Sequence, residues 1–178
     1  MMNLKFGQPD NSVIQLAYVV ADIEASIHHH HQRMAVGPWQ LRGPFTTTSA
    51  LYHGKPVAIS LSIAHAFAGH TMIELIQQHD ELPSAYTDTI KTTGYGFHHW
   101  GVSCPDFDAK LEALRAEGKA PAFEDKTAIG TRVAYIDFRD SMGGFVEYIE
   151  MTEAAEARYT AMYARALTWD KQDLIMRV

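Results

Sequence analysis

Residues 15–27 read QLAYVVADIEASI, and residues 99–111 read HWGVSCPDFDAKL. The two stretches align without a gap. Each begins with a short apolar strand, turns at an aspartate (Asp22, Asp106), and continues with apolar residues at helical spacing. Ile23 and Ile27 correspond to Phe107 and Leu111. An aspartate just before such a stripe is a helix N-cap signal, because its carboxylate accepts the free N–H groups of the first turn. The second helix is expected to stop at Gly118, as helices often stop at glycine.

The repeat extends outward. Residues 59–76 (ISLSIAHAFAGHTMIELI) and 131–149 (TRVAYIDFRDSMGGFVEYI) both read as strand, glycine-containing turn and strand. Glu74 and Glu147 hold equivalent places. The first half is longer, so an insertion is expected in GPWQLRGPFTTTSALYHGKP (37–56), punctuated by two Gly-Pro pairs. The chain is therefore read as one α+β domain over 1–178, built from tandem βαβββ modules at 13–77 and 97–150. A link carries a short helix near Ser84–Lys91, and a helical tail follows at 152–178. In that tail Tyr159, Met162, Tyr163, Ala166 and Leu167 form one helical face, suited to covering the domain or meeting a second copy of the chain.

Strand parity locates the chemistry. Successive side chains alternate faces, so Gln15 shares a face with Ala17, and Glu74 shares one with Met72 and Ile76. In the second half His99 goes with Gly101, and Glu147 with Phe145 and Ile149. Each glutamate thus sits on an apolar face. A buried carboxylate without a partner costs several kcal/mol if charged. Four polar residues at repeat-related places, Gln15, Glu74, His99 and Glu147, point to a divalent cation. Read one at a time, Gln15 is a core or edge amide and His99 a packed histidine. Three oxygen donors and one nitrogen suit Zn, Ni, Co, Mn or Fe.

The stretch ELIQQHDELPSAYTDTIKTTGYGFHHWGV (74–102) and the final GGFVEYIE (143–150) resemble the vicinal oxygen chelate superfamily over roughly residues 13–150. That superfamily includes glyoxalase I, methylmalonyl-CoA epimerase, extradiol dioxygenases and bleomycin-resistance proteins. The VGPW at 36–39 is similar to the epimerase-like branch. The resemblance implies a curved eight-stranded half-barrel around a metal cleft, with a C-terminal helix added. It implies Gln15, Glu74, His99 and Glu147 as ligands, with Glu147, then Glu74, as the base. One departure stands out: the epimerase branch carries histidine where this chain has Gln15, and Gln, Glu, His, Glu is the set of eukaryotic glyoxalase I. The reaction implied is removal of a proton next to a metal-bound carbonyl by an isomerase, epimerase or lyase. The alternatives are extradiol dioxygenation of a catechol and non-catalytic binding of a small molecule.

The remaining features narrow the field. With 47% hydrophobic and 20% charged residues, the 178-residue chain has globular composition. A net charge of −6 without a basic stripe excludes nucleic acid as a partner. No apolar run reaches the ~20 residues of a membrane span. The opening MMNLKFGQPDNS lacks a signal-peptide core, and the lone Cys104 suits a reducing compartment, so a cytoplasmic homodimer acting on a small molecule is expected. His28–His31 fall on a helix, where neighbours point about 100° apart, so the run reads as an outer face rather than one metal site. Trp39, Phe45, Tyr52, Tyr95 and Trp100 are candidate cleft aromatics, and Arg42, Lys55 and Arg132 candidate anion contacts.

Overall fold

The computed structural model describes residues 3–178. β1 (Val13–Val19) leads into α1 (Ile23–Met34). The Asp22 carboxylate accepts from the Ala25 N–H at 2.9 Å, the cap anticipated from sequence. There follow β2 (Trp39–Thr46), the short strands β3 (Leu51–Tyr52) and β4 (Lys55–Pro56), β5 (Ser60–Ala68) and β6 (Thr71–Gln78). α2 (Ala85–Thr93) starts at Ser84, whose hydroxyl and Thr87 form a reciprocal capping box. The second half runs β7 (Gly96–Cys104), α3 (Phe107–Ala116), β8 (Pro121–Lys126), β9 (Arg132–Asp137), the single-turn α4 (Arg139–Met142) and β10 (Phe145–Glu150). The chain ends with α5 (Glu153–Leu167) and β11 (Ile175–Arg177). Asp106 precedes α3 but its side chain makes no capping hydrogen bond.

All eleven strands join one curved, unclosed sheet in the order β11-β2-β5-β6-β1-β7-β10-β9-β8-β3-β4. Its central eight strands fall into two blocks of four. In each block the first strand runs parallel to the last, β1 with β6 and β7 with β10. The blocks meet where β1 pairs antiparallel with β7. That meeting relates them by a pseudo-twofold, and the register obeys it: Ala17 stands opposite Glu74, and Gly101 opposite Glu147.

The expectation for residues 37–56 needs correction. Trp39–Thr46 is not inserted; it is the first module's own second strand, paired with β5. Gly43-Pro44 falls within β2, where the register against β5 shifts between Arg42 and Phe45. The additional part is the β3–β4 hairpin. It crosses to the other module, pairing Leu51 with Glu124 and Tyr52 with Phe123 of β8. The tail is helical only to Leu167. Its last strand lies parallel to β2, with Ile175 opposite Trp39.

Alternation sorts the core into layers. On the convex side α1 buries Ile23 and Ile27 against Trp39, Leu41, Ala64 and Leu75. α3 does the same with Phe107, Leu111 and Leu114 against Ala134 and Ile136. The concave side is lined by Ala17, Leu61, Ile76, Phe123, Tyr135 and Phe145, with Tyr86 of α2 among them. α5 closes one end, packing Met162 near Phe6, Phe67 and Ile149. His30 and His31 pack edge-on to Trp39 and Trp169, while His28 and His29 face solvent, so the histidine run is an outer helix face. Trp39 is fully buried and donates its indole N–H to the Val36 carbonyl at 3.1 Å. Trp39→Ala should cost about 3–5 kcal/mol in urea unfolding through the cavity it leaves. A loss under about 1 kcal/mol would contradict this anchoring of α1 to the sheet.

Candidate metal centre

The four residues singled out by parity converge at the centre of the concave face. Gln15 lies on β1, Glu74 on β6, His99 on β7 and Glu147 on β10. All are buried, His99 completely. The Gln15 amide nitrogen sits 2.9 Å from Glu74 Oε2 and 3.1 Å from both Glu147 Oε2 and His99 Nε2. His99 Nε2 is 3.1 Å from Glu147 Oε2 and 3.4 Å from Glu74 Oε2. Glu74, His99 and Glu147 can each offer a ligand atom, all within 4.8 Å of one another. Gly101 makes room for this convergence, since a Cβ there would lie 2.8 Å from the Gln15 Cβ.

The donor chemistry fits a divalent cation. Two carboxylates and an imidazole nitrogen in a buried cluster supply charge and lone pairs together. An amide can offer either its nitrogen to carboxylates or its oxygen to a cation, so Gln15 suits both situations.

Two further residues belong here and were missed from sequence. His65 Nε2 sits 2.8 Å from Glu74 Oε1, and the Tyr135 ring lies 4.7 Å from the His99 ring, beside Glu147. Each is the cross-strand neighbour of a glutamate: His65 of Glu74, and Tyr135 of Glu147. A readable signal existed for His65. The tight turn at Gly69-His70 sets Ala68 opposite Thr71, and counting back along both strands reaches His65 and Glu74.

This pair breaks the symmetry of the site. Burial pushes the Glu74 carboxyl up, but hydrogen bonds from His65 and His99 outweigh it and hold its pKa at about 2. Glu147 lacks a histidine at the equivalent position. Burial keeps its pKa above the ordinary carboxylate value despite the pull of His99. Burial disfavours charge on His99, yet the Glu147 and Glu74 carboxylates raise its pKa to about 9.

His98 fixes which nitrogen of His99 faces the cluster. His98 Nε2 is 3.1 Å from the Ala85 carbonyl oxygen, which only accepts, so that nitrogen carries a proton. The ring is fully buried and stacks on Phe145, and burial and the adjacent His99 push its pKa well below the ordinary histidine value. A neutral His98 then has a bare Nδ1. It stands 2.7 Å from His99 Nδ1, which must donate. His99 Nε2 is left as the nitrogen directed at Gln15 and the carboxylates.

The cluster forms the floor of a cavity of about 490 Å³, where Gln15, Glu74 and Glu147 are accessible and His99 stands behind them. Of the candidate cleft aromatics only Phe45 lines it. Trp39 lies under α1 on the convex side, Tyr52 donates to Asp88, Tyr95 is exposed and Trp100 packs on Phe97. Of the candidate cations only Arg42 lines the cavity; Lys55 is exposed and Arg132 is paired with Asp108 and Glu150. Arg158 and Tyr159 of α5 also line it, and no sequence reasoning placed them there.

Residues 14–135 match the family model described as Glyoxalase/Bleomycin resistance protein/Dioxygenase superfamily. No curated protein is significantly similar in sequence. Among solved structures, methylmalonyl-CoA epimerase from Mycobacterium tuberculosis aligns with 88% of this chain and 95% of its own, at 17% identity and TM-score 0.57. A hypothetical protein from Bacillus halodurans aligns at 18% identity and TM-score 0.59, covering 82% of this chain and 97% of that one. A variant of Streptomyces coelicolor methylmalonyl-CoA epimerase in complex with 2-nitronate-propionyl-CoA gives 15% identity, TM-score 0.54, and the same coverage. At these identities the likeness is one of fold. Among the described residues no helix is long and apolar enough to cross a membrane.

The His98 arrangement is testable. His98→Phe keeps a buried ring but strands the His99 Nδ1 proton, and should weaken zinc binding about 10–100-fold by calorimetry. His98→Gln, whose amide oxygen can accept that proton, should recover part of the loss. Long-range ¹H–¹⁵N spectra of the metal-free protein should show His98 protonated at Nε2 alone. An Nδ1-protonated His98 would refute the assignment.

Proposed function

The chain belongs to the Glyoxalase/Bleomycin resistance protein/Dioxygenase superfamily, and on that footing we propose that it is a divalent-metal-dependent enzyme of glyoxalase or epimerase type. It removes a proton from the carbon next to the carbonyl of a small organic substrate. The observation that carries this reading is the buried Gln15–Glu74–His99–Glu147 cluster at the floor of a substrate-sized cavity. Gln15, Glu74, His99 and Glu147 would hold the ion. When bound, it supplies Lewis acidity that polarises the substrate carbonyl.

The chain's own residues divide the remaining work. Glu74 is committed through both oxygens, Oε1 to His65 and Oε2 to Gln15 and His99. Its low pKa makes it a poor proton acceptor and a firm anchor. Glu147 engages Gln15 and His99 through Oε2, and no histidine ties down its second oxygen, so it is the carboxylate left to take the α-proton and return it to the neighbouring carbon. Tyr135 and Tyr86, hydroxyls 3.1 Å apart, line the cavity beside Glu147. His65 is a positioning residue, acting through Glu74.

The reading is tested by deuterium uptake at the α-carbon in D₂O. Metal-loaded protein is incubated with methylglyoxal–glutathione hemithioacetal, methylmalonyl-CoA, simple 2- and 3-oxo acids, and a catechol as the dioxygenase control. Exchange on a carbonyl compound, lost on chelation, is expected; oxygen-dependent ring cleavage of the catechol would select the other chemistry. With the exchanging compound, Glu147→Gln at matched metal loading should slow exchange about 10²–10⁴-fold while retaining most of the metal. Glu74→Gln should chiefly weaken metal binding. Unimpaired exchange in metal-loaded Glu147→Gln would move the base elsewhere.

A further inference from the structure

We infer that the cavity takes a compact carboxylic acid, bound by Arg42 and Arg158, two arginines that are not among the candidate metal ligands. This deepens the proposed function by naming a substrate class, and it rests on that reading only for what happens to the acid afterwards.

The two arginines come from distant parts of the chain, β2 and α5, and line the same cavity as Gln15, Glu74 and Glu147. Both are half-buried. Among the described residues neither guanidinium has a carboxylate within 4.0 Å, and neither donates a hydrogen bond to a protein acceptor; Arg132, Arg139 and Arg177 are all ion-paired. A guanidinium has five N–H donors, and a half-buried one with none engaged is arranged for an acceptor that the protein does not supply. The Arg42 guanidinium carbon lies 4.1 Å from the centre of the Phe45 ring, a cation–π contact that holds the head group and uses none of its N–H donors. Bidentate pairing with a carboxylate uses two of those donors.

Charge and shape agree. A divalent ion would neutralise Glu74 and Glu147, which leaves Asp125, hydrogen-bonded by Ser49 at 2.6 Å, as the remaining lining carboxylate. The arginines and the exposed Lys126 then leave the loaded cavity cationic. The lining also offers an apolar surface, with Phe45, Leu61, Ile63, Phe123 and Val133, beside threonines of β2 and the loop after it. About 490 Å³ accommodates an acid with a small aromatic or branched body, whereas the nucleotide of a coenzyme A thioester would project outside. α5 has no counterpart in the first module, so one arginine of the pair belongs to the part of the chain that departs from the repeat.

The test uses calorimetry with 3-phenylpropionate, its primary amide and free coenzyme A, on metal-free and zinc-loaded protein. The acid is expected to bind at least about tenfold tighter than the amide and tighter than coenzyme A, with or without zinc. Arg42→Gln and Arg158→Gln should each reduce the acid's affinity about tenfold and leave the amide unchanged, with unfolding midpoints unmoved and partial recovery in the lysine variants. Equal binding of acid and amide would overturn the inference. So would normal acid binding by both arginine variants, tighter binding of coenzyme A, or no acid binding up to about 10 mM. Acid binding that needs zinc but not the arginines would place the carboxylate on the metal and also overturn it. A protein that binds no zinc yet keeps the arginine-dependent preference would defeat the proposed function and leave this inference standing.

Discussion

The structure turns on the burial of two carboxylates, Glu74 and Glu147, in the middle of an otherwise apolar concave sheet. Such a burial is tolerable only if each charge is matched where it lies. Parallel pairing of β1 with β6, and of β7 with β10, sets each glutamate beside the first strand of its module. The antiparallel contact of β1 and β7 brings both sets together. A slip of one residue in any of these registers would turn a member of the cluster onto the convex face, under α1 or α3. Ala17 and Gly101, small and opposite the glutamates, keep the space open.

Symmetry assembles the cluster, and departures from symmetry give its members different surroundings. Gln15 and His99 are equivalent in the fold but supply an amide and an imidazole. His65 and Tyr135 are equivalent cross-strand neighbours, yet only Glu74 has a histidine there, and His65 together with His99 holds its pKa at about 2. Two carboxylates in related positions are thereby pushed in opposite directions.

Much of this was legible because period-2 alternation survives in all four strands that carry the cluster, and each module helix begins at an aspartate. The vicinal oxygen chelate resemblance agrees with the family match, and the half-barrel with added C-terminal helix agrees with the fold. Other features were hidden for physical reasons. Gly43-Pro44 has the composition of a loop, but β2 passes through it with a shifted register, so a module strand looked like insertion. Parity within β2 then carries Trp39 to the convex side and Arg42 to the cavity, which composition alone does not decide. Arg158 and Tyr159 reach the cavity through the docking of α5, a long-range packing event with no repeat partner to reveal it. The strand at Ile175–Arg177 exists because β2 offers an edge, and three residues carry too little periodicity to announce it.

The central claim is that the pseudo-twofold cluster forms one divalent-cation site with a single histidine ligand. X-ray absorption spectroscopy of the zinc-loaded, dialysed protein tests it most directly. The predicted spectrum corresponds to one ion per chain in a shell of oxygen and nitrogen donors, with outer-shell scattering from one imidazole, His99. Scattering from two or more imidazoles would put the ion at the His28–His31 run or make His65 a ligand, and would contradict the account.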